Sequence, residues 1–157
     1  MELFNIGLNP EESKKLALEL NQLLANLQIH YQNLRGLHWN IQGEKFFELH
    51  VKFEELYNDS QEKIDLVAER ILTLGQTPLH TFEDYQKIAQ VPVGKNIRDD
   101  RASLELIVNS LAILLKKERE ILNISDEADD EGTNSMMSDF IAEQEKLVWM
   151  FSAWLSK

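Results

Sequence analysis

The chain has 157 residues, no cysteine and a formal net charge of −11, and hydrophobic residues make up 43% of it. These numbers predict one globular domain spanning residues 1–157, and they exclude a disulfide framework, thiolate metal ligation and a disordered chain. The acidic charge disfavours sequence-independent DNA binding, because it repels phosphate. With no basic leader and no apolar run of about 20 residues, we expect a cytoplasmic protein without a membrane span.

The first predicted helix is unusually long. Asn9 is a candidate N-cap, Pro10 follows at the first helical position, and leucines recur at helical spacing as far as Leu34. This pattern predicts a helix from Pro10 to Leu37 or His38, about 28 residues long, where the average globular helix has about 12. A helix of this length needs partners along its whole face, as in a helix bundle.

Three more long helices are predicted, with one long connection among them. The second helix runs from Glu44 or Lys45 to Leu74, the third over 96–122, and the last over 134–154, after an acidic cluster at 126–131. The connection over 76–95 contains two prolines and a short helix at 81–88, and its length predicts a crossover that makes the second and third helices parallel. The predicted fold class is all-α: a ferritin-like four-helix bundle with a long middle crossover carrying a short helix.

Four possible metal ligands lie on one stripe of the second helix. With His50 at 0° and about 100° per residue, Glu54 falls near 40°, Asp65 near 60° and Glu69 near 100°. Along the axis, however, His50 and Asp65 are about 22 Å apart at about 1.5 Å per residue. Ligands of one ion lie within about 2 to 2.5 Å of it, so one helix cannot bring both pairs to one metal.

An antiparallel two-fold pairing of this helix would bring the two pairs together. His50 and Glu54 of one copy would then face Asp65 and Glu69 of the other, and His38 could join His50 across the turn, giving two equivalent sites. Imidazole and carboxylate without sulfur suit iron, zinc or manganese, and a carboxylate-rich site suits iron and oxidant chemistry best. No Glu is followed three residues later by His, so an ordinary intrachain di-iron site is not expected.

The run HWNIQGEKFFELHVKFEELYNDSQEKIDLVAERILTLG closely resembles the Dps miniferritins of starved bacteria. The family pattern is His-Trp, a His twelve residues later, an acid four residues beyond it, and then Asp-x-x-x-Glu-Arg. His38-Trp39, His50, Glu54, Asp65 and Glu69-Arg70 all fall in this register. Thr133 lies sixteen residues before Trp149, as in the family, so the resemblance covers nearly the whole chain.

The resemblance implies a homo-oligomer of twelve four-helix subunits that forms a hollow shell with ferroxidase sites at its two-fold interfaces. Fe(II) would be oxidised there, preferably by hydrogen peroxide, and ferric mineral would be stored inside. Residue by residue, it implies that His38, His50 and Glu54 of one subunit ligate iron together with Asp65 and Glu69 of its partner. Trp39 would lie next to the site, and the number of irons per site is left open.

Two departures from the family pattern concern the site and the iron pores. Glu54 stands where the family usually has Asp, which lengthens the side chain and keeps its charge. The acidic cluster matches the region that lines the family's three-fold iron-entry pores. Asp130 aligns best there and Asp139 is a second candidate, but Ser135 stands where the family often has Asp.

Two other functions compete with the ferroxidase. One is a nucleoid-compacting DNA-binding protein, which the charge disfavours: the first basic residue is Lys14, and twelve copies would carry about −130. We therefore expect direct DNA binding to be weak or absent. The other is a helical assembly protein with a vestigial or zinc-occupied site. His30 and His80 lack the ligand context and are expected at the surface.

Overall fold

Capping side chains set where four of the helices begin. Asn9, Thr81, Asp99 and Asp130 each accept a hydrogen bond from a backbone N–H in the first turn of the helix that follows. The computed structural model describes residues 6–156, and over that range it has five helices and no strand. The helices are α1 (Pro10–Asn40), α2 (Phe46–Thr73), α3 (Phe82–Ile88), α4 (Asp100–Glu127) and α5 (Glu131–Leu155).

The predicted boundaries of the third long helix are wrong at both ends. Asn96 has a φ of 57°, a left-handed conformation that cannot start a right-handed helix. Asp99 accepts a hydrogen bond from Ala102 N at 2.8 Å, so α4 begins only at Asp100. It then continues to Glu127, beyond the expected end at Leu122.

The acidic cluster forms a tight junction between α4 and α5. Asp126 and Glu127 belong to the last turn of α4, and Asp129 turns the chain with a φ of 55°. Asp130 accepts a hydrogen bond from Thr133 N at 3.0 Å and caps α5. The predicted start of the last helix at 134 is therefore wrong, because this cap begins α5 at Glu131.

Contacts between helix ends fix the direction of α4. The short turn over 41–45 makes α1 and α2 antiparallel. Just past the end of α1, Gln42 N donates to Arg98 O at 3.0 Å, just before the start of α4. Near the opposite ends, Glu19 of α1 pairs with Lys117 of α4 at 2.7 Å. Helix α4 is therefore antiparallel to α1 and parallel to α2, which confirms the crossover.

The last helix completes the bundle beside α2. Glu143 of α5 pairs with Lys63 of α2 at 2.6 Å, and Asp130 pairs with Arg70 at 2.6 Å. Residue numbers fall along α5 as they rise along α2, so these helices are antiparallel. The fold is thus the expected ferritin-like four-helix bundle with a crossover between α2 and α4.

Three asparagines of α1 fasten the crossover to the bundle. Backbone groups of the irregular crossover have no partner in a helix or a sheet, and the asparagine carboxamides supply their hydrogen bonds instead. The pairs, with donor–acceptor distances of 2.7–3.2 Å, join Asn21 to Thr77 and Leu79, Asn26 to Gln90 and Val91, and Asn33 to Pro92 and Gly94. The crossover therefore has a fixed path although most of it is irregular.

The buried apolar side chains of the described residues, apart from Val91 of the crossover, form one cluster between the helices. Polar side chains also lie inside it, among them His30, which is only 5% exposed. The expectation of a surface position is therefore wrong for His30, whereas His80 is exposed as expected. None of the helices within residues 6–156 combines the length and apolar character needed to cross a membrane.

Candidate metal centre

The turn between α1 and α2 brings His38 and His50 face to face. His38 lies in the last turn of α1, and His50 lies in the second turn of α2. Their ring centroids are 3.8 Å apart and their planes are inclined by 11°. The turn itself is anchored by the buried side chain of Ile41. Two imidazoles from consecutive helices are thus stacked at one end of the bundle.

Each of the two imidazoles is fixed by the backbone of the other residue. His38 Nδ1 lies 2.6 Å from His50 O, and His50 Nδ1 lies 2.7 Å from His38 O. A carbonyl oxygen only accepts hydrogen bonds, so both Nδ1 atoms must carry the proton. In a neutral imidazole the lone pair is then on Nε2. Metal-binding histidines are oriented in this way, with the nitrogen that faces away from the metal bonded to a carbonyl or carboxylate.

Aromatic side chains pack on both outer faces of the histidine pair. Phe46 stacks on His50 with centroids 4.9 Å apart and an interplanar angle of 17°. The ring of Tyr57 meets His38 at 82°, with centroids 5.4 Å apart. These contacts and the two backbone hydrogen bonds leave little room for the imidazoles to rotate, so both rings are pre-oriented.

Glu54 lies one helical turn after His50 and is exposed. Its Oε1 accepts a hydrogen bond from Tyr57 Oη at 3.3 Å. Loss of solvation, followed by the charge of Glu54 and this hydrogen bond, raises the pKa of Tyr57. The phenol therefore stays protonated at neutral pH and acts as the donor. Glu54 and the two histidines form one half of the candidate site.

The other two predicted ligands lie far along the same helix. Asp65 and Glu69 are exposed, and neither carboxylate has a hydrogen bond or an ion pair with residues 6–156. Fifteen residues separate Asp65 from His50, which is about 22 Å of helix. Within the described part of the chain, no group of three or more His, Asp or Glu side chains is arranged to hold a metal ion. Neither half of the candidate site therefore gathers a metal-binding set from the described residues alone.

The stripe of α2 that carries these acids also exposes large apolar side chains. Phe47 is 81% exposed, Val51 53% and Leu72 54%. At about 100° per residue they fall between about 40° and 100° from His50, the same sector as Glu54, Asp65 and Glu69. A mixed apolar and acidic stripe of this kind is typical of a face that another protein surface covers.

Comparisons with known proteins agree with this architecture. A family model for the ferritin-like domain matches residues 17–157. The DNA protection during starvation (Dps) protein of Porphyromonas gingivalis is 44% identical over 151 residues, which are 96% of this chain and 95% of that protein. The crystal structure of a Dps protein from Vibrio cholerae O1 superposes with a TM-score of 0.96 at 54% identity. It covers 99% of this chain and 98% of that one. The chain belongs to the ferritin-like Dps family.

A second relative is similar to this chain over nearly its whole length. An uncharacterized protein of Haemophilus influenzae is 48% identical over 153 residues, or 98% of this chain and 96% of that protein. The Vibrio cholerae protein is described as a member of a broad superfamily of ferritin-like diiron-carboxylate proteins. The resemblance read from the His38–Arg70 motif is thereby confirmed at the level of family and fold.

Trp39 follows His38 directly in this Dps chain, and its predicted place next to the site stays a prediction. Its indole is 57% exposed, and the Arg35 guanidinium carbon is 4.9 Å from the centroid of its ring. Arg35 also lies 5.5 Å from the ring centroid of Tyr31, which in turn meets Tyr57 edge-on with centroids 6.1 Å apart. Through Tyr31 and Tyr57, this chain of ring contacts connects Arg35 and Trp39 to the ring of His38.

The two predicted pore residues have different surroundings. Asp130 is only 2% exposed, and its Oδ1 accepts hydrogen bonds from Arg70 Nη2 at 2.6 Å and Thr133 N at 3.0 Å. Its Oδ2 accepts another from Thr133 Oγ1 at 2.6 Å. Asp139 is exposed on α5. Pores form between subunits, so a pore role for either residue stays a prediction, and Asp130 already has a structural role within the chain.

Sequence reasoning missed the buried polar groups in the middle of the bundle. Lys63 is 4% exposed and its Nζ lies 2.6 Å from both Asp59 Oδ2 and Glu143 Oε2. Glu118 is fully buried, and neither of its oxygens has a hydrogen-bond partner. Burial raises the pKa of Glu118 to about 8, although Gln144 and then Lys63 oppose the shift. The neighbouring Gln144 Oε1 also lacks a hydrogen-bond partner.

Proposed function

We propose that this chain is a ferroxidase and iron store. Twelve copies form a shell, oxidise Fe(II) at sites between two-fold-related subunits, and retain the ferric mineral inside, which protects the cell from oxidative damage. The observation that supports this best is the reciprocal hydrogen bonding of His38 and His50. It leaves two fixed Nε2 lone pairs beside Glu54, a donor set suited to iron.

The position of Asp65 and Glu69 supports a site shared between two subunits. Both carboxylates lie on the ligand-bearing stripe of α2, yet no group within the described residues neutralises them. An antiparallel two-fold pairing of α2 would bring them to the histidines of the partner and would cover Phe47, Val51 and Leu72. Metal binding then balances the negative charge that such an interface concentrates.

The geometry of the histidine pair favours two metal ions per site. An imidazole nitrogen binds a metal in the plane of its ring, at about 2.1 Å. Two planes inclined by 11° with centroids 3.8 Å apart intersect only about 20 Å away, far beyond the reach of a shared ion. Rotating either ring to share one ion would break a hydrogen bond to a backbone carbonyl. His38 and His50 therefore bind different ions.

Two adjacent Fe(II) ions match the electron count of hydrogen peroxide. Each Fe(II) gives one electron, the O–O bond takes both and breaks, and two protons complete two water molecules, leaving two Fe(III) ions. Two-electron reduction at one site avoids the hydroxyl radical that a single Fe(II) would release. Zinc or manganese can occupy the same ligands, because imidazole and carboxylate bind all three metals.

The DNA-binding alternative has less support. The net charge of −11 repels a polyanion, and the acids on the exposed stripe of α2 add to that field. Protection of DNA, which the names of the relatives state, would here be chemical, through removal of Fe(II) and peroxide. A gel shift whose affinity falls with added salt at neutral pH would contradict this view.

The test adds Fe(II) and then peroxide to the purified protein without oxygen, follows ferric absorbance, and measures particle size. His50→Ala and Asp65→Ala should each abolish the fast phase, whereas His80→Ala, which changes an exposed histidine of the crossover, should not. Co-refolding equal amounts of the two site variants should restore about a quarter of the sites. With random assembly, half of the two-fold pairs would contain one subunit of each variant. In such a pair one of the two sites carries both substitutions and the other carries neither, so a quarter of all sites would be complete. A monomer, or oxidation no faster than in buffer, would refute the proposal.

A further inference from the structure

Tyr57 contacts one candidate ligand from each of the two helices. Its Oη donates to Glu54 Oε1 at 3.3 Å, and its ring meets the imidazole of His38 edge-on with centroids 5.4 Å apart. It lies three residues after Glu54, a spacing that places both side chains on one face of α2. Tyr57 thus links the carboxylate of α2 with the histidine of α1.

Glu54 needs such a partner more than an aspartate would. It has one more rotatable bond than Asp, and it is exposed, so packing does not restrict it. The hydrogen bond with Tyr57 is the only hydrogen bond or ion pair that the Glu54 carboxylate makes with residues 6–156. Without it, the carboxylate would move freely and would have to be ordered when metal binds.

Tyr57 is itself held in place. Its ring meets Tyr31 edge-on with centroids 6.1 Å apart, and Arg35 lies over the Tyr31 ring at 5.5 Å. The Tyr57 side chain is half-buried by these neighbours. Its hydroxyl is therefore a fixed point toward which the longer Glu54 side chain can be directed.

We propose that Tyr57 is a positioning residue that orients Glu54 for metal binding and compensates for the longer side chain at this position. The inference rests on the proposed function, since it assumes that Glu54 is a ligand. At 3.3 Å the hydrogen bond is long, so its effect should lie near the lower end of the 10–100-fold range typical for groups that support a metal ligand.

The test is a double-mutant cycle with Co(II), whose absorption spectrum and calorimetric binding can be measured without oxidation. Tyr57→Phe removes only the hydroxyl and should weaken Co(II) binding about tenfold. In Glu54→Asp, whose shorter side chain does not extend to the phenol, the same change should cost less than about twofold. Tyr31→Phe is the matched control, because its hydroxyl contacts no candidate ligand; it should bind like the wild type.

The outcomes separate this inference from the function on which it rests. Particle size must be unchanged in all four proteins of the cycle, so that a loss of affinity is not a loss of assembly. Equal losses in the wild-type and Glu54→Asp backgrounds, or no loss from Tyr57→Phe, would overturn the role of Tyr57 while leaving the ferroxidase intact. If the His50→Ala and Asp65→Ala variants each bind Co(II) with the affinity of the wild type, the proposed site itself would be overturned.

Discussion

Replacing Glu118 by Gln should stabilise the protein at neutral pH. The Glu118 carboxyl group is fully buried in α4 without a hydrogen-bond partner, and burial raises its pKa from 4.5 to about 8. At pH 7 the folded protein therefore holds Glu118 as a neutral acid, whereas the unfolded chain ionises it. Glutamine has nearly the same shape and never ionises, so the substitution removes this difference.

The size of the effect follows from proton linkage. The folded state binds more protons than the unfolded state between pH 4.5 and about 8, so stability falls as pH rises through that window. Each pH unit costs about 1.4 kcal/mol, which gives about 3 kcal/mol at pH 7 and about 5 kcal/mol above pH 8. The advantage of Glu118→Gln over the wild type should be near zero at pH 4.5 and should grow at this slope.

Thermal unfolding at a fixed protein concentration provides the assay. At this chain length about 1 kcal/mol corresponds to roughly 2–4 °C, so Glu118→Gln should raise the Tm by about 6–12 °C at pH 7. Glu105→Gln changes an exposed acid of the same helix and serves as the control; because it keeps Glu118, its Tm should follow the pH dependence of the wild type. Infrared spectroscopy checks the cause, because the band of a protonated carboxyl group should be present at pH 7 and absent in Glu118→Gln.

Two results would refute the reasoning on Glu118. A difference in Tm between variant and wild type that stays constant from pH 5 to pH 8 would mean that Glu118 has the same protonation state in the folded and unfolded protein over this range. A variant that is less stable at pH 7 would mean that Glu118 is ionised and paired in the folded protein. Either result would contradict a neutral buried acid.

Three other changes test separate features of the fold. Burial, together with the charge of Lys63, lowers the pKa of His30 to about 4. The unfolded chain therefore binds a proton at His30 that the folded protein does not, and the protein loses stability as pH falls from 6.5 to 4. His30→Gln cannot take up this proton, so it should unfold at a higher temperature than the wild type at pH 4.5 but not at pH 7.5. Asn26→Ala leaves two crossover N–H groups unpaired and should cost about 2–4 kcal/mol in urea unfolding, with faster hydrogen exchange at Val91; normal exchange there would contradict the predicted role. Gly94→Ala places a Cβ 2.5 Å from Leu106 Cδ2 and should cost about 1–3 kcal/mol in the same assay, whereas wild-type stability would show that Leu106 moves aside.

The sequence predicted those parts of the fold that local chemistry determines. Asn9 and Pro10 locate the start of α1, because a cap acts within one turn, and the short helix predicted at 81–88 begins at its own cap, Thr81. The start of α4 was misplaced because its periodic apolar residues begin only at Leu104 and do not show where the first turn lies. Only the backbone shows that Asn96 is left-handed and that Asp99 is the cap. A helix start could therefore be predicted correctly where only one residue was a candidate for the cap.

The residues of the candidate site could be predicted from the sequence, but the orientation of their side chains could not. Spacing placed His50, Glu54, Asp65 and Glu69 on one stripe, since that depends only on helix geometry. The backbone hydrogen bonds that fix His38 and His50 depend on how two helices approach across a turn, which spacing does not determine. Tyr57 could have been found, because it lies three residues after a proposed ligand, a spacing at which helical side chains interact.

The helical spacing of the sequence could have indicated that two polar residues lie in the interior. Glu118 falls between Leu114 and Ile121 on the buried stripe of α4, where a charged residue should be questioned. His30 follows Leu27 at a similar position on α1. Tyr31 also fits the helical spacing there, so sequence alone did not show which of the two faces inward.

Charge compensation explains why metal chemistry would lie outside the bundle in this family member. Inside, Lys63 is neutralised by Asp59 and Glu143, and Glu118 avoids charge by keeping its proton. These groups need no cation. On the outer stripe of α2, by contrast, Asp65 and Glu69 have no partner within the described chain. In the proposed assembly a bound cation would balance these charges and a second copy would cover the apolar residues, so metal binding would be linked to assembly.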